Sequence, residues 1–186
     1  MSEPSDKSDL SDLVPEFDLI QDADLRAKCV RVWEAAIQQG GWTVEDLPKI
    51  PFTLLIEKCP VSFLDHVRGV TLASLGVCDA AAKTYGDRLP LNRDILIAGG
   101  LLHDIGKLLE YAREGDRFVT SPNGKLLRHP FSGTALAAQF DVPDEVLHII
   151  AVHAKEGDLG PRTPEAVIVH HCDFALFEPL RPPTKQ

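Results

Sequence analysis

The 186-residue sequence has no long apolar run, no closely paired cysteines and no excess of positive charge, and each shortage removes a class of function. No apolar stretch reaches the about 20 residues that span a bilayer, so a membrane-embedded chain is not expected. The four cysteines, Cys29, Cys59, Cys78 and Cys172, form no CxxC pair and are too scattered for a disulfide scaffold or a zinc ribbon. Buried free thiols and a reducing compartment are the expectation. With 19 Lys+Arg against 28 Asp+Glu, the net charge of -9 opposes nonspecific attraction to DNA, RNA or anionic lipid. Nucleic acid and membrane are therefore disfavoured as partners, and a small anionic substrate needs a locally positive site. The opening "MSEPSDKSDLSDLVPEFD" lacks the basic and apolar regions of a signal peptide, which makes a cytoplasmic location the expectation.

What is present suits one globular domain: 44% hydrophobic and 25% charged residues suffice for a core under a solvated surface. Residues 1–16, rich in Ser, Asp, Glu and Pro, read as a disordered acidic tail. Residues 17–60 hold a helix capped by Asp22 or Asp24, with Cys29, Val32, Trp33, Ala36 and Ile37 on one face and a stop at Gly40-Gly41. A proline-rich connector, "WTVEDLPKIPFTLLIEKCP", follows. Ser62 can cap a long helix whose His66, Val70, Ala73 and Val77 share a stripe, and another helix is expected from Asn92 to about residue 115. The segment "DRFVTSPNGKLLRHP" carries an "SPNG" turn and reads as a small hairpin or a plain loop. Three further helices start near Pro130, Pro143 and Pro164, where proline suits a first turn. The fold class is all-α, a bundle of about six or seven helices, with a short tail over residues 179–186.

The stretch "LLHDIGKLLEY", residues 101–111, places His103, Asp104 and Lys107 in an otherwise core-facing helical pattern, where each costs free energy to bury unpaired. Partners must come from elsewhere. The histidines and carboxylates that fall at core or helix-start positions are His66, His103, Asp104, His129, His153 and Asp173. Imidazoles and carboxylates are the ligands of borderline-soft divalent metals, and six such groups, one able to bridge, suit two adjacent ions.

This ordered set, His66, His103-Asp104, His129, His153 and Asp173, resembles the motif of the HD-domain superfamily of metal-dependent phosphohydrolases. The contexts "HDIGK" and "RHPFSGTALA" are also similar to that family, and the resemblance spans residues 61–178. It implies that His66, His103, Asp104 and Asp173 hold one metal, and that Asp104 bridges to a second held by His129 and His153. Iron or manganese is the expected metal, with zinc, cobalt and nickel also accepted by such donors. Lys107, four residues after His103, returns to the same helical face and is expected to neutralise a substrate phosphate. Arg162 and His170 are further candidates for that anion, and Asp104 and Lys107 are the expected catalytic pair.

Each residue also has an ordinary alternative. His66 beside Asp65 reads, alone, as a surface histidine; Lys107 as a snorkelling lysine; His129 before Pro130 as a loop residue. His148 is about 140° from His153 on a helix, so only His153 is assigned to the metal. His171 is expected to be structural or to face solvent and Cys172 to face the core, while Ser132 and Thr134 lack a visible triad partner.

A dinuclear phosphohydrolase is thus expected, a phosphodiesterase before a phosphomonoesterase, acting on a small nucleotide-like or cyclic phosphate ester. The "GYP" extension of relatives that cleave cyclic dinucleotides is absent. The resemblance leaves two alternatives: a diiron oxygenase acting on an organophosphonate or polyol, and a noncatalytic interaction module, disfavoured because all six ligands are present. The N-terminal helix with Trp33 and the connector are expected to cap the site or to make a homo-oligomer contact.

Overall fold

Leu10–Leu13 forms a single helical turn, α1, and Pro15–Leu19 a 3-10 turn behind it, in a computed structural model that describes residues 10–181. Leu10, Val14, Phe17 and Ile20 are buried, and Arg68 Nε donates to both carboxylate oxygens of Glu16 at 2.9 Å. The tail expected through residue 16 is therefore ordered from Leu10 onward. Apolar residues three or four apart supply an inward face that the surrounding Ser and Asp residues obscure in average composition. Residues 1–9 and 182–186, where the remainder of both tails was expected, lie outside the described residues.

Helix α2 spans Ala23–Gly40, and Asp22 caps it by accepting from the Asp24 and Leu25 amides. It ends at Gly41, whose φ of 72° is left-handed and suits glycine. The expected face, Cys29, Val32, Trp33, Ala36 and Ile37, is buried. Trp33 packs against Phe17 and Phe63, and its Nε1 donates to the Leu101 carbonyl at 3.0 Å. Trp42 Nε1 donates to the Leu108 carbonyl at 2.8 Å. Both indoles are spent inside the chain, fastening the backbone on either side of His103-Asp104.

Ser62 caps α3 (Phe63–Tyr85), and Asn92 caps α4 (Arg93–Leu102). The α3 seam departs from the expected stripe: His66 and Val70 are buried, but Val77 is 45% exposed and the buried face continues through Thr71, Ser74 and Cys78. Helix α4 is buried from Ile95 to Leu102 and packs against α2, α3 and the two C-terminal helices.

The helix expected to run to about residue 115 breaks after Leu102. Ile105 and Lys107 donate three residues back, to Leu102 and Asp104, giving a tight turn before the short α5 (Lys107–Glu110). An antiparallel hairpin follows, β1 (Tyr111–Glu114) and β2 (Arg117–Thr120), with Tyr111 opposite Thr120. Its turn holds Gly115 at φ 60°, whereas "SPNG" forms a later turn in which Ser121 Oγ accepts from the Gly124 amide. Three helices complete the bundle: α6 (His129–Ala137), α7 (Asp144–Val152) and α8 (Pro164–Phe177). Apart from the hairpin, the described residues form the expected all-α bundle, six of its helices having nine residues or more. No helix among them is long and apolar enough to cross a membrane.

Gly106 lets the His103-Asp104 turn lie directly on α6, because a Cβ there would stand 2.1 Å from the His129 carbonyl and 2.7 Å from the Gly133 amide nitrogen. Both obstacles are backbone and cannot rotate away. Gly106→Ala should therefore cost about 1–3 kcal/mol of stability in urea unfolding. It should also lower the metal stoichiometry of the folded fraction, because His129 starts the displaced helix.

Candidate metal centre

Five segments deliver six ligand-type side chains to one buried point. His66 comes from the first turn of α3, His103 and Asp104 from the turn after α4, His129 from the first residue of α6, His153 from the C-cap of α7, and Asp173 from α8. Asp104 is 1% exposed, and its two oxygens face different partners. Oδ2 lies 3.5 Å from His66 Nε2 and 3.4 Å from His103 Nε2; Oδ1 lies 3.3 Å from His129 Nε2 and 3.5 Å from His153 Nε2. The donors form two groups that share Asp104, each with its atoms within 4.8 Å of one another. Asp173 Oδ1, 3.0 Å from His66 Nε2, stands beside the first group.

The rings are held with Nε2 turned inward. His103 Nδ1 donates to the Gly100 carbonyl at 2.7 Å, and His153 Nδ1 to the Ile150 carbonyl at 2.8 Å. His129 Nδ1 donates to Glu110 Oε2 at 2.9 Å. A proton fixed on Nδ1 leaves a lone pair on Nε2, the form in which imidazole binds a metal. His66 is steered differently, by a stack on Phe52 with ring centroids 4.2 Å apart. His103 Nε2 is buried without a hydrogen-bond partner, the mark of an atom whose partner is a cation. The donor set therefore fits two borderline-soft divalent ions, with Asp104 shared between them.

The electrostatics favour ionised ligands. Burial opposes the charge on Asp104, yet the Lys107 ammonium that faces it outweighs this cost and holds the carboxyl well below its usual range. Burial likewise opposes the charges on Lys107 and Asp173, but Asp104 raises the first and the His66 contact lowers the second. Burial pushes His129 down to about 4, so its ring is neutral at physiological pH even with Glu110 beside it.

Lys107 Nζ lies 2.6 Å from Asp104 Oδ2 and 5.1 Å from the Phe52 ring centroid. With Asp104, His129 and Asp173 it lines a cavity of about 880 Å³. Arg162 and His170, both expected to meet substrate, do not line it. Arg162 donates to the Val152 and Ala154 carbonyls and pairs with Asp158, and His170 Nδ1 donates to the His153 carbonyl at 2.5 Å. Both brace the end of α7 that presents His153. The cavity's other cations are Arg128, Lys155 and Arg181, which carry no sequence signal beyond charge. His148, assigned away from the metal, accepts from the Thr163 amide at 3.2 Å; His171 is exposed and Cys172 buried, as expected. The connector supplies Phe52 and residues 53–56 to the cavity wall, so it covers the site.

Residues 63–174 match the HD domain family. The chain is 32% identical over 173 residues to a dihydroneopterin 2',3'-cyclic phosphate phosphodiesterase of Methanocaldococcus jannaschii, covering 88% of this chain and 67% of that protein. The chain belongs to the HD-domain family. Ribonuclease Y of Desulforamulus reducens is 33% identical over 108 residues, and that of Thermotoga maritima 35% over 92 residues. These matches cover 58% and 50% of this chain but only 16% and 15% of the ribonucleases. No solved structure matches. The HD assignment agrees with the geometry: an HD-domain phosphohydrolase fold whose His/Asp cluster is dinuclear in form.

Glu110 is the residue that the HD pattern conceals. Its Oε2 accepts from both the backbone amide of His129, at 2.6 Å, and its Nδ1, while Arg128 Nε lies 3.4 Å from Oε1. Glu110→Ala should weaken binding of the second metal about 10- to 100-fold, as loss of a carboxylate behind a ligating histidine does. Titration with Mn(II) should then show one tight site retained and one weakened.

Proposed function

We propose that this HD-domain chain is a metal-dependent phosphodiesterase that hydrolyses a small nucleotide-like or cyclic phosphate ester, with Asp104 and Lys107 as its catalytic residues. The reading is supported above all by the division of the Asp104 carboxylate between two histidine pairs. His66, His103, Asp104 and Asp173 would hold one divalent ion, and Asp104, His129 and His153 a second, with iron or manganese the first candidates. Bound there, such ions supply a water of lowered pKa and polarise a phosphoryl oxygen.

The remaining work falls to side chains. Asp104 stays ionised beside Lys107. The Lys107 ammonium stays protonated because Asp104 faces it, and of its three N–H donors only one is needed there, which leaves two for a substrate phosphate. Phe52 and the rest of the connector cover one side of the cluster and limit its access to bulk water. Lys155 lines the same cavity, as does Arg128 beside Glu110 and Glu156, and their charges partly offset the carboxylates there for an approaching anion. The described chain supplies all six ligands itself, so no second copy is needed to complete the site. A small ester is favoured over RNA by the net charge of -9, and the name of the archaeal relative agrees with a cyclic phosphate. The described cysteines are all free, which supports a reducing, cytoplasmic setting.

The test is turnover of a panel of cyclic diesters, linear diesters and monoesters by protein loaded anaerobically with Fe(II) or Mn(II). Cyclic 2',3'-esters should turn over fastest, and Asp104→Ala should lose metal and activity together. Two-metal protein with no ester turnover would contradict the proposal and direct attention to oxygen consumption. Lys107→Ala should keep its metal and raise KM roughly 10- to 100-fold, the worth of a hydrogen bond to a charged group.

A further inference from the structure

Three of the four cluster histidines are fixed by a hydrogen bond at Nδ1, His103 and His153 to carbonyls and His129 to Glu110. His66 makes no such bond among the described residues. Its polar contacts are both at Nε2, with Asp173 Oδ1 at 3.0 Å and Asp104 Oδ2 at 3.5 Å. Contacts at Nε2 alone leave the ring free to tilt about that atom. The stack on Phe52, with ring centroids 4.2 Å apart and planes 20° apart, removes that freedom.

The Phe52 ring is only as well placed as its backbone. The Phe52 amide donates to the Val61 carbonyl at 3.2 Å, and the Phe63 amide to the Ile50 carbonyl at 2.7 Å, which closes the base of the loop over residues 52–61. On the far side of Phe52 the loop runs out to Leu55, Glu57 and Lys58, all exposed. There the Phe52 carbonyl has one hydrogen bond among the described residues, from Tyr111 Oη at 3.2 Å. Tyr111 is 5% exposed and opens β1 opposite Thr120, so its hydroxyl is carried by the hairpin and not by the loop it holds.

Tyr111 directly follows Glu110, and the two reach opposite halves of the cluster. Glu110 holds His129, on the Oδ1 side of Asp104; Tyr111 reaches, through Phe52, to His66 on the Oδ2 side. Phe52 precedes residues 63–174, the segment that matches the HD domain family, so this support comes from outside the matched segment.

We propose that Tyr111 is a positioning residue for the ion on the Oδ2 side of Asp104: its hydroxyl holds Phe52, and Phe52 holds the plane of His66. This rests on His66 being a metal ligand. Residues 110 and 111 then support the two halves of the cluster separately, and the connector sets the affinity of one ion as well as covering the site.

The experiment is calorimetric titration of the full chain with Mn(II), with anomalous diffraction at limiting Mn(II) to tell the two ions apart, for wild type, His66→Ala, Phe52→Leu and Tyr111→Phe. His66→Ala should lose the ion on the Oδ2 side. Phe52→Leu should weaken that ion about 10- to 100-fold, as loss of a group that orients a ligating histidine does. Tyr111→Phe, which removes a single hydroxyl, should weaken it about 2- to 10-fold, the worth of one hydrogen bond. In both variants the ion on the Oδ1 side should bind as in wild type, and excess Mn(II) should restore full occupancy. A general loss of folding would weaken both ions together.

Any other pattern in Tyr111→Phe, whether both ions are weakened, neither, or only the one on the Oδ1 side, overturns the positioning role; if His66→Ala has lost its ion, the ligand assignment stands. Unchanged Mn(II) binding in His66→Ala overturns that assignment and the role of Tyr111 with it.

Discussion

A single carboxylate, buried to 1% exposure between four imidazoles and an ammonium, is the constraint on which the rest of this fold depends. An ionised group in that position is costly unless its surroundings compensate it. Each Asp104 oxygen has its own pair of histidines, and every histidine arrives from a different segment of the chain. The bundle is thus organised around a charge as much as around an apolar core. That charge fits a cation in each of the two half-sites that share it. The neutral His129 ring and the inward-turned Nε2 of His103 are donors in the form that a metal ion binds.

Holding five segments at one point requires support, and for three of them it is mostly hydrogen bonding to backbone. Trp33 and Trp42 grip the carbonyls of Leu101 and Leu108 on either side of the His103-Asp104 turn. Glu110 grips both the amide and the ring of His129, and His170 and Arg162 grip the carbonyls at and around His153. His66 has a face of Phe52 instead. Such contacts fix ring orientation to within the tolerance of metal coordination, and they explain why an N-terminal helix without ligands of its own belongs to the working domain.

The six residues that meet at the cluster are legible in the sequence because polar side chains at apolar helical spacing, in a fixed order, are costly without a reason. The supports were less legible. Glu110 reads as one more charge on a helix, and only the fold brings it to His129 across 19 residues. Arg162 and His170 read as candidates for the substrate anion, yet their donors turn to the carbonyls of residues 152–154 and to Asp158. The break after Leu102 left no mark because an apolar pattern at three- and four-residue spacing suits both an α-helix and the tighter turn that replaces it. Likewise, Leu10, Val14 and Phe17 are too few to stand out in an acidic segment, although their spacing is enough to anchor it.

The most direct measurement of the shared carboxylate is anomalous diffraction from crystals of the Mn(II)-loaded chain. Two peaks are expected, one on the Oδ2 side of Asp104 among His66, His103 and Asp173, the other on the Oδ1 side between His129 and His153. A single peak, with His129 and His153 left unliganded, would contradict the dinuclear account and reduce those histidines to lining.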